Sequence, residues 1–312
     1  MSLRDRLRKK SSVLQQQHNK SGEPNKSPGQ RFETIFDKSK IPAGIGFYRV
    51  PEGQHLVDII PFECGPDMPL DENGDVRFQE GDPSYVLNVW VHQNLGKNDK
   101  PYVCPYQNFG ESCPACEFIK ANRLEKEDWA KLRPKQRSIY LIWGHNNRED
   151  EKKEIQVFDS SFFFMEEKLI EIARLPKDGG SIMFSDVDKG RSVAWTRKGI
   201  GATNTSYIGH KFVDRESPIP DKILEKSFSL DSIIKMHPTY EEIKKDFNDT
   251  LRKMKLYEGE EGEDPFKKSR ADEVEDEEVP SVGDDVPTFD DEEEEASAPR
   301  KPQGSGVVRR RR

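Results

Sequence analysis

The chain has 312 residues, with 50 Lys and Arg against 58 Asp and Glu and a formal net charge of −8. Only 33% of its residues are hydrophobic and 35% are charged, and no apolar run is long enough to span a bilayer, which excludes an integral helical membrane protein. The basic N-terminus lacks the apolar stretch of a secretory leader, so the four cysteines are expected to be reduced thiols in a cytoplasm.

Charge divides the chain into three parts. Residues 1–26 carry seven Lys or Arg against two acids and read as a basic arm. Within it, Ser2–Gln17 has the spacing of a short amphipathic helix with Leu3, Leu7 and Leu14 near one face, and Ser21–Gln30 reads as a linker. Residues 258–295 hold nineteen acids against three Lys or Arg, and 296–312 add six basic residues ending in Arg309–Arg312. Such a tail buries too little apolar surface to offset its chain entropy, so 258–312 is expected to be disordered. Taking these charges from −8 leaves about −3 for residues 27–257, the predicted folded core.

Inside the core, Phe47–Val50, His55–Phe62 and Tyr85–His92 read as strands separated by turn residues such as Asp71-Glu72-Asn73-Gly74. A helix is expected to open near Pro114. Ser138–Gly144 and Lys153–Phe158 follow as a hairpin pair, and Ser161–Leu175 as a helix burying Phe164, Leu169, Ile172 and Ala173. Ser181–Phe184 and Arg191–Thr196 suggest a further hairpin. Asp221 is placed to cap a short helix, and Thr239 with Glu242 forms a capping box for a helix reaching about Tyr257. Five or six short strands with inserted helices suggest an α+β fold, a small open barrel carrying a metal subdomain.

The metal reading rests on spacing. His92, Cys104, Cys113 and Cys116 form H-x11-C-x8-C-x2-C within 25 residues. Zn2+ takes four N or S ligands in a tetrahedron, and a C-x2-C knuckle offers two thiolates from one turn. A redox pair is the alternative for Cys113 and Cys116, but no thioredoxin-like pattern surrounds them. The fourth ligand is His92 or, in a four-thiolate set, Cys64. His92 is favoured because Val89-Trp90-Val91-His92 reads as a strand end entering a loop. Either set closes the coordination sphere, so a single structural zinc is expected.

Basic and aromatic residues interleave in two stretches. Arg133, Lys135 and Arg137 lead into Tyr140 and Trp143, and Trp195, Arg197 and Lys198 lead to Tyr207. Single-stranded nucleic acid is held by such sets, cations along the phosphates and aromatic faces under the bases. Alternation from Ser138 to Trp143 predicts one set in the core and the other at the surface. No Walker loop, G-x-S-x-G, H-E-x-x-H or dinucleotide turn is found, so a non-enzyme is expected.

Together these residues resemble the zinc-containing single-stranded DNA-binding (helix-destabilising) protein family of T-even-type tailed phages. The match is by order and spacing and covers most of the chain. His92, Cys104, Cys113 and Cys116 fall on the family's zinc set of one His followed by three Cys. Arg8, Lys9, Lys10, Ser11 and Ser12 look like its N-terminal element for contact between neighbouring molecules. Lys135–Trp143 looks like its basic-aromatic strand, and Phe158 and Tyr207 fall near aromatics of its DNA cleft. Cys64 is additional, and Arg309–Arg312 stand where the family's tail ends acidic.

The resemblance implies an OB-fold core with a zinc subdomain at about residues 92–134. It also implies cooperative coating of single-stranded DNA in phage replication, recombination and repair, within the host cytoplasm. The acidic tail would recruit replication and recombination proteins, and no membrane partner is expected. An RNA-binding or translational-repressor module and a zinc-stapled interaction scaffold are the rival expectations.

Overall fold

A computed structural model describes residues 34–257, with 72–73, 176–179 and 200–203 excepted. The basic arm, its Arg8–Ser12 element and the acidic tail lie outside the described residues.

The fold is mixed α+β, built on a large and mostly antiparallel sheet. In chain order its first half comprises β1 (Gly46–Phe47), β2 (Gly53–Ile60), β3 (Phe62–Glu63), β4 (Pro83–Ser84), β5 (Leu87–Leu95) and β6 (Lys100–Val103). Three helices follow, α1 (Pro105–Phe109), α2 (Pro114–Ala121) and α3 (Lys126–Leu132). Next come β7 (Lys135–Gly144), α4 (Arg148–Lys152), β8 (Ile155–Ser161), α5 (Glu166–Ala173), β9 (Arg191–Lys198) and β10 (Ser206–Asp214). The helices α6 (Asp221–Leu224) and α7 (Tyr240–Lys253) close the described chain.

The sheet runs β1-β8-β7-β2-β9-β10, with β5 and β6 attached beside β7; β1 and β8 are parallel, and the other pairs in it are antiparallel. The ten-residue β7 organises it. Its first half pairs with β5, from Val91↔Lys135 to Leu87↔Ile139, and its second half with β2, from Ile60↔Leu141 to Val57↔Gly144. Alternation then sends side chains into two cores. Ile139 and Leu141 join Leu87, Val89, Val91 and Val157 under the Ile219–Met236 segment, while Tyr140 and Ile142 join Val57, Ile59, Phe158 and Trp195 under α5. Each such buried side chain stabilises the fold by about 1.5–3 kcal/mol.

This corrects the expected split of Ser138–Trp143 into a core set and a surface set. Residues Ser138–Ile142 are all buried, because layers cover both sides of β7. The expected 181–184 hairpin is also absent. Ser181 makes only an isolated bridge to Arg174, and β9 pairs instead with β2 and β10. The helix after β8 starts five residues later than expected, at Glu166, because Phe162–Met165 form a turn. The capping box is present at α7, with Glu242 accepting from Thr239 N at 2.9 Å and Thr239 Oγ1 accepting from Glu242 N at 3.3 Å.

Candidate metal centre and basic-aromatic surface

Three local structures deliver the four candidate ligands. His92 lies within β5 opposite Tyr102 of β6, inside a strand rather than at its end. Cys104 follows β6 and caps α1, its Sγ accepting from Gln107 N at 3.4 Å. Cys113 occupies the N-cap position of α2 without a side-chain capping bond, Pro114 begins the first turn, and Cys116 sits within that turn. Proline suits this position because the first helical N–H groups lack intrahelical partners.

All four residues are buried, and their ligand atoms lie within 4.8 Å of one another. Cys104 and Cys116 Sγ are 3.4 Å apart, and His92 Nε2 is 3.4 Å from Cys113 Sγ and 3.5 Å from Cys116 Sγ. His92 Nδ1 donates to the Leu132 carbonyl at 3.0 Å, which fixes the ring with Nε2 turned toward the sulfurs. Hydrogen bonds with Cys104 and Cys116 pull the Cys113 thiol well below its ordinary pKa, and its contacts with Cys104 and Cys113 push Cys116 well above. Burial opposes charge on His92, but hydrogen bonds and negative charge from Cys104 and Cys113 outweigh it and raise its pKa to about 10. The group therefore favours positive charge at its centre and can hold a metal ion. Cys64 lies elsewhere, in the first core, its thiol raised to about 11 by burial and then by Asp231 and Asp82.

α7 seals this centre. Ile243, Phe247 and Leu251 share one buried cluster with Cys104, Cys113, Cys116, Phe118 and Leu132. Tyr102 Oη donates to Asp246 Oδ2 at 2.6 Å, and Gly96 N donates to Thr250 Oγ1 at 2.7 Å. Gly96 has φ +78°, and a Cβ there would approach Asp246 to 2.9 Å, so glycine fits both the turn and the helix above it.

The register divides the basic-aromatic residues between faces. Arg197 opposes Tyr207 and shares a face with Trp195, whereas Lys198 points the other way; on β7, Lys135 and Arg137 lie opposite to Tyr140. Tyr140, Phe158 and Trp195 are 0%, 1% and 2% exposed, so they are core residues and not platforms for bases. They stack on one another, Tyr140 to Phe158 at 5.9 Å and Phe158 to Trp195 at 5.8 Å. Arg137 is paired with Asp159 through Nε at 2.9 Å and Nη2 at 2.8 Å, so its charge is compensated. Arg197 donates to the Val50 carbonyl and to Thr205 Oγ1. Arg133 covers the ring of Trp129 at 4.7 Å, and Lys135 and Lys198 are exposed.

Tyr207 remains at the surface, half-buried, its hydroxyl pKa raised by burial against the opposing charges of Arg197 and Arg137. It stacks on Phe164 at 5.2 Å, beside Phe163, which is 46% exposed with Lys168 Nζ 5.0 Å from its ring centroid. Sequence periodicity missed Phe163 and Lys168 and placed Phe164 in a buried helical stripe, whereas Phe164 is half-buried in a turn before the helix. The run of three phenylalanines at 162–164 was the available signal, since a helix stripe cannot bury three successive side chains.

Glu166 anchors the turn bearing those rings. It is 1% exposed and accepts from Tyr85 Oη and Tyr140 Oη, both at 2.7 Å. Burial raises its pKa despite these donors. Its stabilising contribution is therefore complete below the unfolded value of about 4.3 and lost as pH rises through the folded value. Denaturant unfolding at a series of pH values should show this loss in the wild type, and Glu166→Gln should flatten it. Equal pH slopes would refute the assignment. No family model matches this chain, and comparison with curated proteins also finds no match.

Proposed function

We propose that this protein binds unpaired nucleic-acid strands, DNA foremost, with little sequence preference and without catalysis. The observation that carries the reading is the aromatic series Trp195, Tyr207, Phe164 and Phe163, which passes from core to solvent with Arg197 and Lys168 beside it. Stacking on such rings suits any base, and the cations suit the phosphates. The antiparallel sheet is read as an open OB-type barrel, a fold that binds oligonucleotides through some of its strands and loops.

The metal is read as zinc. Ligand distances of about 2.3 Å for sulfur and 2.0 Å for nitrogen give tetrahedral edges of about 3.8 and 3.5 Å. The observed contacts of 3.4–3.5 Å fit that set with small adjustments. Zinc so bound supplies a cross-link and no open coordination position. It would tie β5, α1 and α2 together beneath α7. The basic arm is assigned to contacts between neighbours on the strand, with Arg8–Ser12 at its centre, and the acidic tail to recruitment of replication and recombination proteins.

Titration of the full chain with poly(dT), followed by intrinsic fluorescence at two salt concentrations, tests the reading. Saturable quenching that weakens steeply with salt is expected, since bound cations release counterions. Phe163→Ala should weaken binding about tenfold, within the range of one lost stacking contact. Tighter binding to RNA of equal length would favour the RNA-module reading, because a 2′-hydroxyl reader prefers RNA. Absence of binding to either polymer would leave the zinc-stapled scaffold.

A further inference from the structure

A cavity of 580 Å3 opens between β5, α1 and residues 68–71 and 74–78. Its lining includes Arg77, Phe78, Asn88, Trp90, Tyr106 and Gln136. The volume lies in the usual range for small-molecule sites, and the wall combines aromatic faces with a few polar groups, the mixture that orients a flat polar ligand.

Its two rigid walls hang on the metal ligands. Trp90 is two residues before His92 on β5, and Cys104 N donates to the Trp90 carbonyl at 2.8 Å. Tyr106 stands on α1, the helix that Cys104 caps. Asn108 locks these walls together, accepting from Trp90 N at 2.9 Å and donating to the Trp90 and Cys104 carbonyls at 2.9 and 2.8 Å. The polar groups at the wall differ from it. Ser138 Oγ donates to Asn88 Oδ1 at 2.6 Å, which leaves the Asn88 Nδ2 group as a donor. Cations lie beside aromatic rings, Arg77 at 5.1 Å from the Phe78 centroid and Lys120 Nζ at 3.7 Å from that of Tyr106.

The cavity also adjoins the aromatic surface. Gln136 contributes to its wall while its carbonyl accepts from Phe162 N at 3.2 Å, at the head of the Phe162–Phe164 turn. Arg77 acts electrostatically on Tyr85 and Glu166, the groups that hold the same turn.

We infer that the cavity takes one unpaired nucleotide of a strand lying on Phe163, Phe164 and Tyr207, with its base against Trp90 and Tyr106. Asn88 donates to the base edge and Arg77 meets the adjacent phosphate. The inference rests on the strand-binding reading, to which it adds a second contact built by the metal subdomain.

The test uses the full metal-loaded chain and oligo(dT) in which 5-iododeoxyuridine replaces thymidine. Binding is first measured by anisotropy, and irradiated complexes are then mapped by mass spectrometry. Crosslinks at Trp90 or Tyr106, additional to any at Phe163, Phe164 or Tyr207, are expected. Tyr106→Leu should weaken binding about tenfold and remove its own crosslink while leaving those at the outer rings. Tyr106 is 38% exposed, so the variant should fold, and Trp90→Leu provides a second reading. A bound strand crosslinked only at the outer rings would overturn the inference and leave the strand-binding reading standing. No binding by anisotropy would overturn both.

Discussion

Chelator treatment of the metal-loaded chain, or Cys113→Ser, is expected to lower the melting temperature by at least about 10 °C and to release α7 before the sheet. Structural zinc contributes an apparent free energy of about 10–16 kcal/mol in small metal-folded domains. Each kcal/mol moves the midpoint by about 2–4 °C in a domain of roughly this size, so about half of that contribution reaches the stated shift. The order of release follows from packing. Ile243, Phe247 and Leu251 share one buried cluster with Cys104, Cys113 and Cys116, whereas Tyr140, Ile142 and Phe158 are buried in a separate core against α5. Hydrogen exchange with and without chelator should show faster exchange at 243–251 and 113–121, with the β7 amides still protected. Unchanged exchange at α7, or an unchanged midpoint, would remove the metal from the structural role assigned to it.

The cluster of His92 with the three cysteines could be read from sequence because its chemistry is local: three sulfurs within thirteen positions and one imidazole upstream leave few alternatives. Three dimensions separated Cys64 from the set by placing it among Ile60, Phe62 and Leu230 in another core. The aromatic residues behaved differently. Alternation along Ser138–Trp143 correctly separates two sides of a strand, but it cannot say whether a layer covers each side. Here both are covered, and Tyr140 became a core residue.

β10 was hidden for a related reason. Ser206–Asp214 is an edge strand with Gly209 at φ +67° and a register shift between Ile208 and Lys211, and most of its side chains are exposed or half-buried. Its composition lacks the sustained alternation of a half-buried strand. The cavity-lining residues Met68, Pro69, Leu70, Arg77 and Phe78 carry no periodic pattern. Their position follows from the distant pairing of Phe62 with Ser84.

Asp58→Ala should destabilise the fold by about 3–5 kcal/mol, the cost of leaving a buried charge without its partner. Asp58 lies on β2, with its side chain 7% exposed, and its carboxylate joins four parts of the chain. Oδ1 accepts from Ser192 Oγ at 2.6 Å and Arg215 Nε at 2.9 Å, and Oδ2 accepts from His145 Nε2 at 2.9 Å. Arg215 is itself only 5% exposed and also donates to the carbonyls of Asp186 and Phe184, fixing the loop before β9. Removing the carboxylate strands that guanidinium, whereas Asp58→Leu with Arg215→Met removes both charges and should cost less than Asp58→Ala alone. Denaturant unfolding of the variants measures the difference, and a double variant no more stable than Asp58→Ala would contradict the argument. The pH dependence has a definite sign. Burial pushes the Asp58 pKa up, but hydrogen bonds from His145 and Ser192 and the Arg215 charge outweigh it, leaving the folded value lowered. The contribution is thus complete above the unfolded carboxylate value of about 3.9 and is lost as pH falls through the lower folded value. Wild-type protein should therefore lose stability below about pH 4 more steeply than Asp58→Asn, which has no proton to take up at this position. Parallel acid limbs would show that the clamp acts through packing alone.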